Sequence, residues 1–142
     1  MLSNEPAPSP WQPLSGRGVL RITRWNVRAD EERVGGVVKV CTVNVGTLRG
    51  RGRELVDMLA RRSIDICCIQ EVRYRNEGCT VLGDGDQKYK FWYKGNAEGT
   101  KGVGTLITHE LAENVIEVSR YSDRLISIKA VLGDSVWHVF SI

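Results

Sequence analysis

The stretch IDICCIQEVR, residues 64–73, decides the fold. Its first seven residues are apolar except for Asp65 and Gln70. They are bounded by the polar Arg61-Arg62-Ser63 on one side and by Glu71-Val72-Arg73 on the other. A run this short, closed off at both ends, suits a central strand buried on both faces, the kind found where sheet strands run parallel. Its exit is then the carboxyl edge of a sheet, the edge where open α/β sheets place their ligands. Glu71 and Arg73 stand at that exit.

Upstream, VVKVCTVNV (37–45) follows Gly35-Gly36 and is dominated by β-branched residues, which predicts a strand. Between the two strands, RGRELVDMLARR places Leu55, Met58 and Leu59 at the spacing of one helix face, with Val56 beside them and charges opposite. Strand, helix and strand within so short a span form a βαβ-like unit. Downstream, EGCTVLGDGDQ reads as a glycine-rich excursion and YKFWYKG as an aromatic strand. GVGTLITHEL is a strand entered through glycines, VIEVS another, and RLISIKAVL and VWHVFSI pair across Gly133-Asp134-Ser135 as a hairpin. The expected fold class is α/β, or α+β in schemes that weigh the β-rich second half.

All four prolines fall within the first 13 residues, and sustained periodicity is lacking before Gly36. Residues 1–36 are therefore expected to be a disordered or loosely attached leader, with RITRWNV as a short strand within it and Trp25 docking it on a domain spanning 37–142. The leader lacks a basic segment followed by an apolar one, and the chain has no run of 18 apolar residues, so neither secretion nor membrane insertion is supported. A net charge of +3 permits a phosphate-rich partner without demanding one. Cys41, Cys67, Cys68 and Cys79 have no C-x-x-C spacing. Adjacent residues of a strand face opposite ways, so Cys67 and Cys68 read as core-filling thiols in a reducing, intracellular compartment, nuclear or cytoplasmic.

Two residues carry the candidate chemistry. Asn44 ends the first strand just before Gly46, and Glu71 ends the second; if the strands are neighbours, the sheet brings both to one edge. A carboxylate backed by an amide is a hard oxygen site suited to Mg²⁺, which takes one or two carboxylates plus phosphate oxygens. The plainer readings are a turn-forming Asn and a solvated Glu paired with Arg73 or Arg75. Arg49, Arg51 and Arg53 alternate with glycine before the helix, either as phosphate contacts or as a solvated loop. GTKGVG fits neither a Walker nor a Rossmann loop, and Asp84-Gly85-Asp86 lacks the ligands of a calcium loop, so a turn is expected there. His109 and His138 are expected to be structural.

TVNVGTL with Asn44, RGRELVDMLARRSIDICCIQEVR with Glu71, KGVGTLI and SDRLISIKAVL occur in an order that resembles the endonuclease/exonuclease/phosphatase superfamily over residues 37–142. The chain looks most like the apurinic-endonuclease-like domain of non-LTR retrotransposons and the related craniofacial development protein 2-like proteins. That resemblance implies the amino-terminal half of a DNase I-like four-layer β-sandwich flanked by helices. It also implies a Mg²⁺-dependent DNA endonuclease in which Glu71 binds the metal and Asn44 holds the phosphate. Arg49, Arg51 and Arg73 are weaker candidates for contacts to phosphate or DNA. Relatives have Trp at the position of Val43, which leaves the packing beside Asn44 different here. The family's Tyr, Asp-x-Asn and Asp-His elements follow the matched portion, and the chain stops at Ile142 inside an apolar run. The expectation is thus a fragment inactive on its own, with an exposed apolar sheet face that favours self-association. The alternatives are a non-enzymatic module that binds protein or nucleic acid, and a phosphatase of the same superfamily.

Overall fold

The computed structural model describes residues 37–142 and the strand segments Pro6–Ala7, Gln12–Leu14 and Arg17–Arg28. The elements in chain order are β1 (Pro6–Ala7), β2 (Gln12–Leu14), β3 (Arg17–Arg28), β4 (Val37–Asn44), α1 (Gly52–Arg61), β5 (Ile66–Gln70), β6 (Glu77–Asp84) and β7 (Gln87–Gly95). They continue with β8 (Gly102–Thr108), α2 (His109–Ala112), β9 (Val115–Ser122), β10 (Leu125–Leu132) and β11 (Ser135–Ser141). The protein is a mixed α/β structure, mostly sheet, with two helices among the described residues. The large sheet has the order β1-β3-β4-β5-β8-β7-β6, with β2 paired to β3, and the small sheet has the order β11-β10-β9.

Alternation along the central strands divides the apolar residues between two cores. Cys41 and Val43 of β4, Cys67 and Ile69 of β5, Tyr89 and Phe91 of β7 and Leu106 of β8 face one way. There they meet Leu55, Val56, Met58 and Leu59 of α1. Each such buried helix side chain contributes about 1.5–3 kcal/mol of burial free energy. Val38, Ile66, Trp92, Val103 and Ile107 face the other way, onto Ile126, Ile128 and Leu132 of β10 with Trp137 and Val139 of β11 packed alongside. The layers are therefore α1, the large sheet and the small sheet. Gly104 lies under the Phe91 ring, where a Cβ would overlap the ring carbons.

The central βαβ unit matches its reading from sequence. β4 and β5 are parallel neighbours, with Asn44 opposite Gln70, and β5 is buried along its first four residues. Cys67 and Cys68 do face opposite cores: Cys67 lies in the helix-side cluster, while the Cys68 thiol donates to the carbonyl of Phe140 across to the small sheet. α1 stops where Ser63 enters the left-handed region at φ 54°, and Ile64 N–H reaches back to the carbonyl of Leu59. That is a helix stop of the kind glycine usually supplies.

Two local features differ from expectation, and one lies partly outside the described residues. The supposed excursion over 77–87 is β6, joined to β7 through a two-residue turn at Gly85-Asp86. Its glycines and outward polar residues suit an edge strand that is exposed along most of its length. The strand beginning at Gly102 ends at Thr108, whose hydroxyl accepts Leu111 N–H and caps the short α2. Of the expected leader, RITRWNV lies within β3, which pairs antiparallel with β4 from Arg21↔Asn44 to Arg28↔Val37. The remainder of that expectation, and the docking of Trp25, lie outside the described residues and side chains.

Candidate functional site

Parallel pairing of β4 with β5 brings the ends of both strands to one edge of the large sheet. Val45 N–H then donates to the carbonyl of Gln70 at 3.2 Å, so the first residue beyond Asn44 is tied to the residue before Glu71. Beneath them Thr42 and Gln70 bond side chain to side chain, at 3.0 and 3.2 Å, and hold the two strand ends in register.

Asn44 is exposed, and its Oδ1 accepts the N–H of Gly46 at 3.1 Å. The bond closes an Asx turn across Val45 that ends at Gly46, whose φ of 73° is one that glycine adopts without strain. With the carbonyl end engaged, the amide nitrogen of Asn44 is left pointing away from the turn as a donor. A phosphate oxygen is a suitable acceptor for it.

Glu71 is also exposed, and it turns the chain: its φ is 57°, and that of Arg73, two residues on, is also 57°. Neither is glycine, so each position is strained by about 1–2 kcal/mol. Between them Val72 is fully buried in the helix-side core. Its N–H donates to the carbonyl of Gly102 and its carbonyl accepts from Leu48 N–H, both at 3.1 Å. The core pins Val72, and the left-handed residues on either side direct Glu71 and Arg73 outward.

The arginines divide into two groups. Arg73 and Arg75 are exposed, and the exposed Arg49 donates from Nε to the carbonyl of Arg73 at 3.1 Å. Arg49 also lies near Tyr74, whose phenol is pushed up by burial and by Tyr93 and pulled down by that guanidinium. Arg53 pairs with Asp84 at 2.7 Å out in solvent. Arg51 stands apart from both groups. It is 5% exposed and donates from Nη1 to the carbonyl of Val45 at 3.3 Å, so its guanidinium is committed to the loop after β4.

Lys101 was missed as a candidate. The loop before β8 is folded by Asn96, whose Oδ1 accepts from Thr100 N–H at 2.9 Å and Lys101 N–H at 3.2 Å. Because the next residue, Gly102, accepts from Val72, exposed Lys101 borders the Glu71 edge. The signal was the GTKGVG segment, which fits neither a Walker nor a Rossmann loop. The histidines lie elsewhere: His109 follows Thr108, whose N–H bonds to Asp65 at the opposite end of β5, and His138 is exposed on the outer face of β11. A cavity of about 410 Å³, lined among others by Asp65, Tyr89 and His109, opens at that opposite edge. Its polar groups are partly committed, Asp65 to Lys39 N–H and the Tyr89 hydroxyl to the carbonyl of Ile64.

No group of three or more His, Cys, Asp or Glu side chains occurs among the described residues in a metal-holding arrangement. Mg²⁺ commonly takes only one or two carboxylates beside waters and substrate oxygens, and Glu71 presents one exposed carboxylate at this edge. No helix among the described residues is long and apolar enough to cross a membrane. Comparison with models of known protein families and with curated proteins yields no match for this chain.

Proposed function

We propose that the chain carries the metal- and phosphate-binding edge of a Mg²⁺-dependent endonuclease that hydrolyses phosphodiester bonds in DNA. The proposed kinship is with the non-LTR retrotransposon branch of the endonuclease/exonuclease/phosphatase superfamily, and the proposed fold is the amino-terminal part of a DNase I-like sandwich. One observation carries the reading: the parallel register Asn44↔Gln70 brings Asn44 and the residue before Glu71 level with each other at the end of two central strands. Packing of a small sheet against the large one, with α1 outside, agrees with that sandwich.

In this reading Glu71 holds Mg²⁺, which when bound polarises the scissile phosphate and stabilises charge on the leaving oxygen. The Asn44 amide donates to a non-bridging phosphate oxygen, and the turn at Gly46 fixes the direction of that donor. Arg73 and Lys101 flank the edge as exposed cations for neighbouring phosphates. The second reading, a module that binds nucleic acid without cleaving it, is favoured by the positions of the two histidines. Neither lies at the Asn44–Glu71 edge to serve as a base.

Fluorescence anisotropy with an abasic-site duplex, with and without Mg²⁺, tests the proposal, alongside nicking of supercoiled plasmid. Binding is expected to strengthen with Mg²⁺ and to weaken by about tenfold in Glu71→Gln, the loss of one charge-assisted contact. Binding indifferent to both Mg²⁺ and Glu71 would refute the site. For the isolated chain no nicking is expected, and metal-dependent nicking that disappears in Glu71→Gln would make it an enzyme as it stands.

A further inference from the structure

We infer that Arg51 is a positioning residue for the Asn44–Glu71 edge, and that Arg49 and Arg51 together clamp the two loops that carry it. The inference rests on the function proposed above and assigns these arginines a role other than phosphate contact. The two residues alternate along the segment before α1, and their guanidinium groups go to different loops. Arg51 donates to the carbonyl of Val45, next to Asn44. Arg49 donates to the carbonyl of Arg73, two residues beyond Glu71. Just before them Leu48 N–H donates to the carbonyl of Val72, so three bonds from residues 48–51 reach both sides of the edge.

The two prongs differ in burial, and this ranks them. Arg49 is exposed, and water can replace its bond at little cost. Arg51 is 5% exposed at the start of α1, a place where the positive end of the helix dipole disfavours a cation. A guanidinium kept there needs acceptors, and the carbonyl of Val45 is one. Without that donor the Val45 carbonyl is left short of a partner beneath the Asx turn, and the turn that aims Asn44 loses its support. Glycine at 50 and 52 lets successive arginines diverge: Gly50 has a φ of 71°, and Gly52 faces the Leu82 side chain where a Cβ would be tight.

The test uses the full chain, labelled with ¹⁵N, as wild type, Arg51→Lys, Arg51→Met, Arg49→Met and Glu71→Gln. Two quantities are read: exchange of the Gly46 and Leu48 amide protons, and paramagnetic broadening of the Gly46 and Val72 amides on titration with MnCl₂. Arg51→Met should speed exchange at Gly46 by about tenfold, the loss of one buried bond to a charged donor. It should weaken Mn²⁺ binding by a similar factor, while Arg51→Lys recovers part of both and Arg49→Met changes each by no more than about threefold. If Arg51→Met does not fold, the same comparison is made between wild type and Arg51→Lys, whose single-point donor predicts an intermediate effect. The clamp is overturned if exchange at Gly46 in the Arg51 variants equals that of wild type. Mn²⁺ binding unchanged by Glu71→Gln would instead remove the metal reading, and the exchange data would still decide the clamp.

Discussion

Replacing Glu71 by glycine should stabilise the protein relative to replacing it by alanine. Both substitutions remove the same exposed carboxylate, so effects of charge and of any bound cation cancel between them, and the backbone term remains. At a φ of 57° an L-residue carries about 1–2 kcal/mol of strain that glycine does not. Against this stands the greater freedom glycine has in the unfolded chain, about 0.5–1 kcal/mol. The net expectation is that Glu71→Gly is more stable than Glu71→Ala by about 0.5–1 kcal/mol, or about 2–4 °C in Tm for a chain of this size. Paired urea and thermal melts at neutral pH without divalent cations read this difference directly. The sign carries the decision, because at a position of ordinary negative φ alanine is the more stable of the two. If Glu71→Ala matches or exceeds Glu71→Gly, Val72 does not hold its neighbours in the left-handed region, and the account of how Glu71 is aimed fails with it.

Val72→Ala removes two buried methyl groups, about 1.6 kcal/mol of transfer free energy, and leaves a cavity; a loss of about 2–3 kcal/mol in urea melts is expected. Thr105 is fully buried with a hydroxyl that has no hydrogen-bond partner, so Thr105→Val should raise stability by about 1 kcal/mol, and a loss in the same melts would point to a partner for that oxygen. Among the thiols Cys79 alone is exposed, and at pH 8 Ellman's reagent should titrate one cysteine at once and the other three only on unfolding. Burial pushes the Cys68 thiol from 9.0 up to about 12, and burial also raises Cys67 and Tyr89. The folded protein therefore keeps protons that the unfolded chain releases: this stability is complete below about pH 9 and is lost as pH climbs toward 12. A urea midpoint that holds steady from pH 8.5 to 11 would contradict it.

The parts of the fold legible in the sequence were those where burial and period agree. β5 is buried on both faces because it lies between β4 and β8 with a core on each side, and only an unbroken apolar run satisfies that position. α1 shows its apolar stripe because one side alone meets the sheet. β6 was illegible for the opposite reason: an exposed edge strand held by pairing to β7 needs no apolar alternation, and its glycines mimic a loop. At the candidate site, the strand ends put Asn44 and Glu71 at one edge, but the outward aim of Glu71 could not be read. It depends on φ values at Glu71 and Arg73 that their residue types do not advertise, and on Val72 being drawn into the core. The burial of Arg51 was not legible, because an arginine between glycines looks solvated and burial is a property of the packed loop rather than of the motif.

The bond from the Ser141 hydroxyl to the carbonyl of Ile69 spans 72 residues and fastens β11 over the end of β5. During chain growth β4, α1 and β5 emerge together, yet β5 waits for β8 to supply its second pairing partner and for β11 to cover its far face. Non-local closures of this kind slow folding, because loop entropy is lost before the contacts that offset it are made. The strand that delivers Glu71 is thus complete midway along the chain, before the strands that enclose it. While it waits it exposes Ile66, Cys67, Cys68 and Ile69, an apolar edge that neighbouring nascent chains can pair with. Slow, concentration-sensitive refolding is the signature this order of assembly leaves behind.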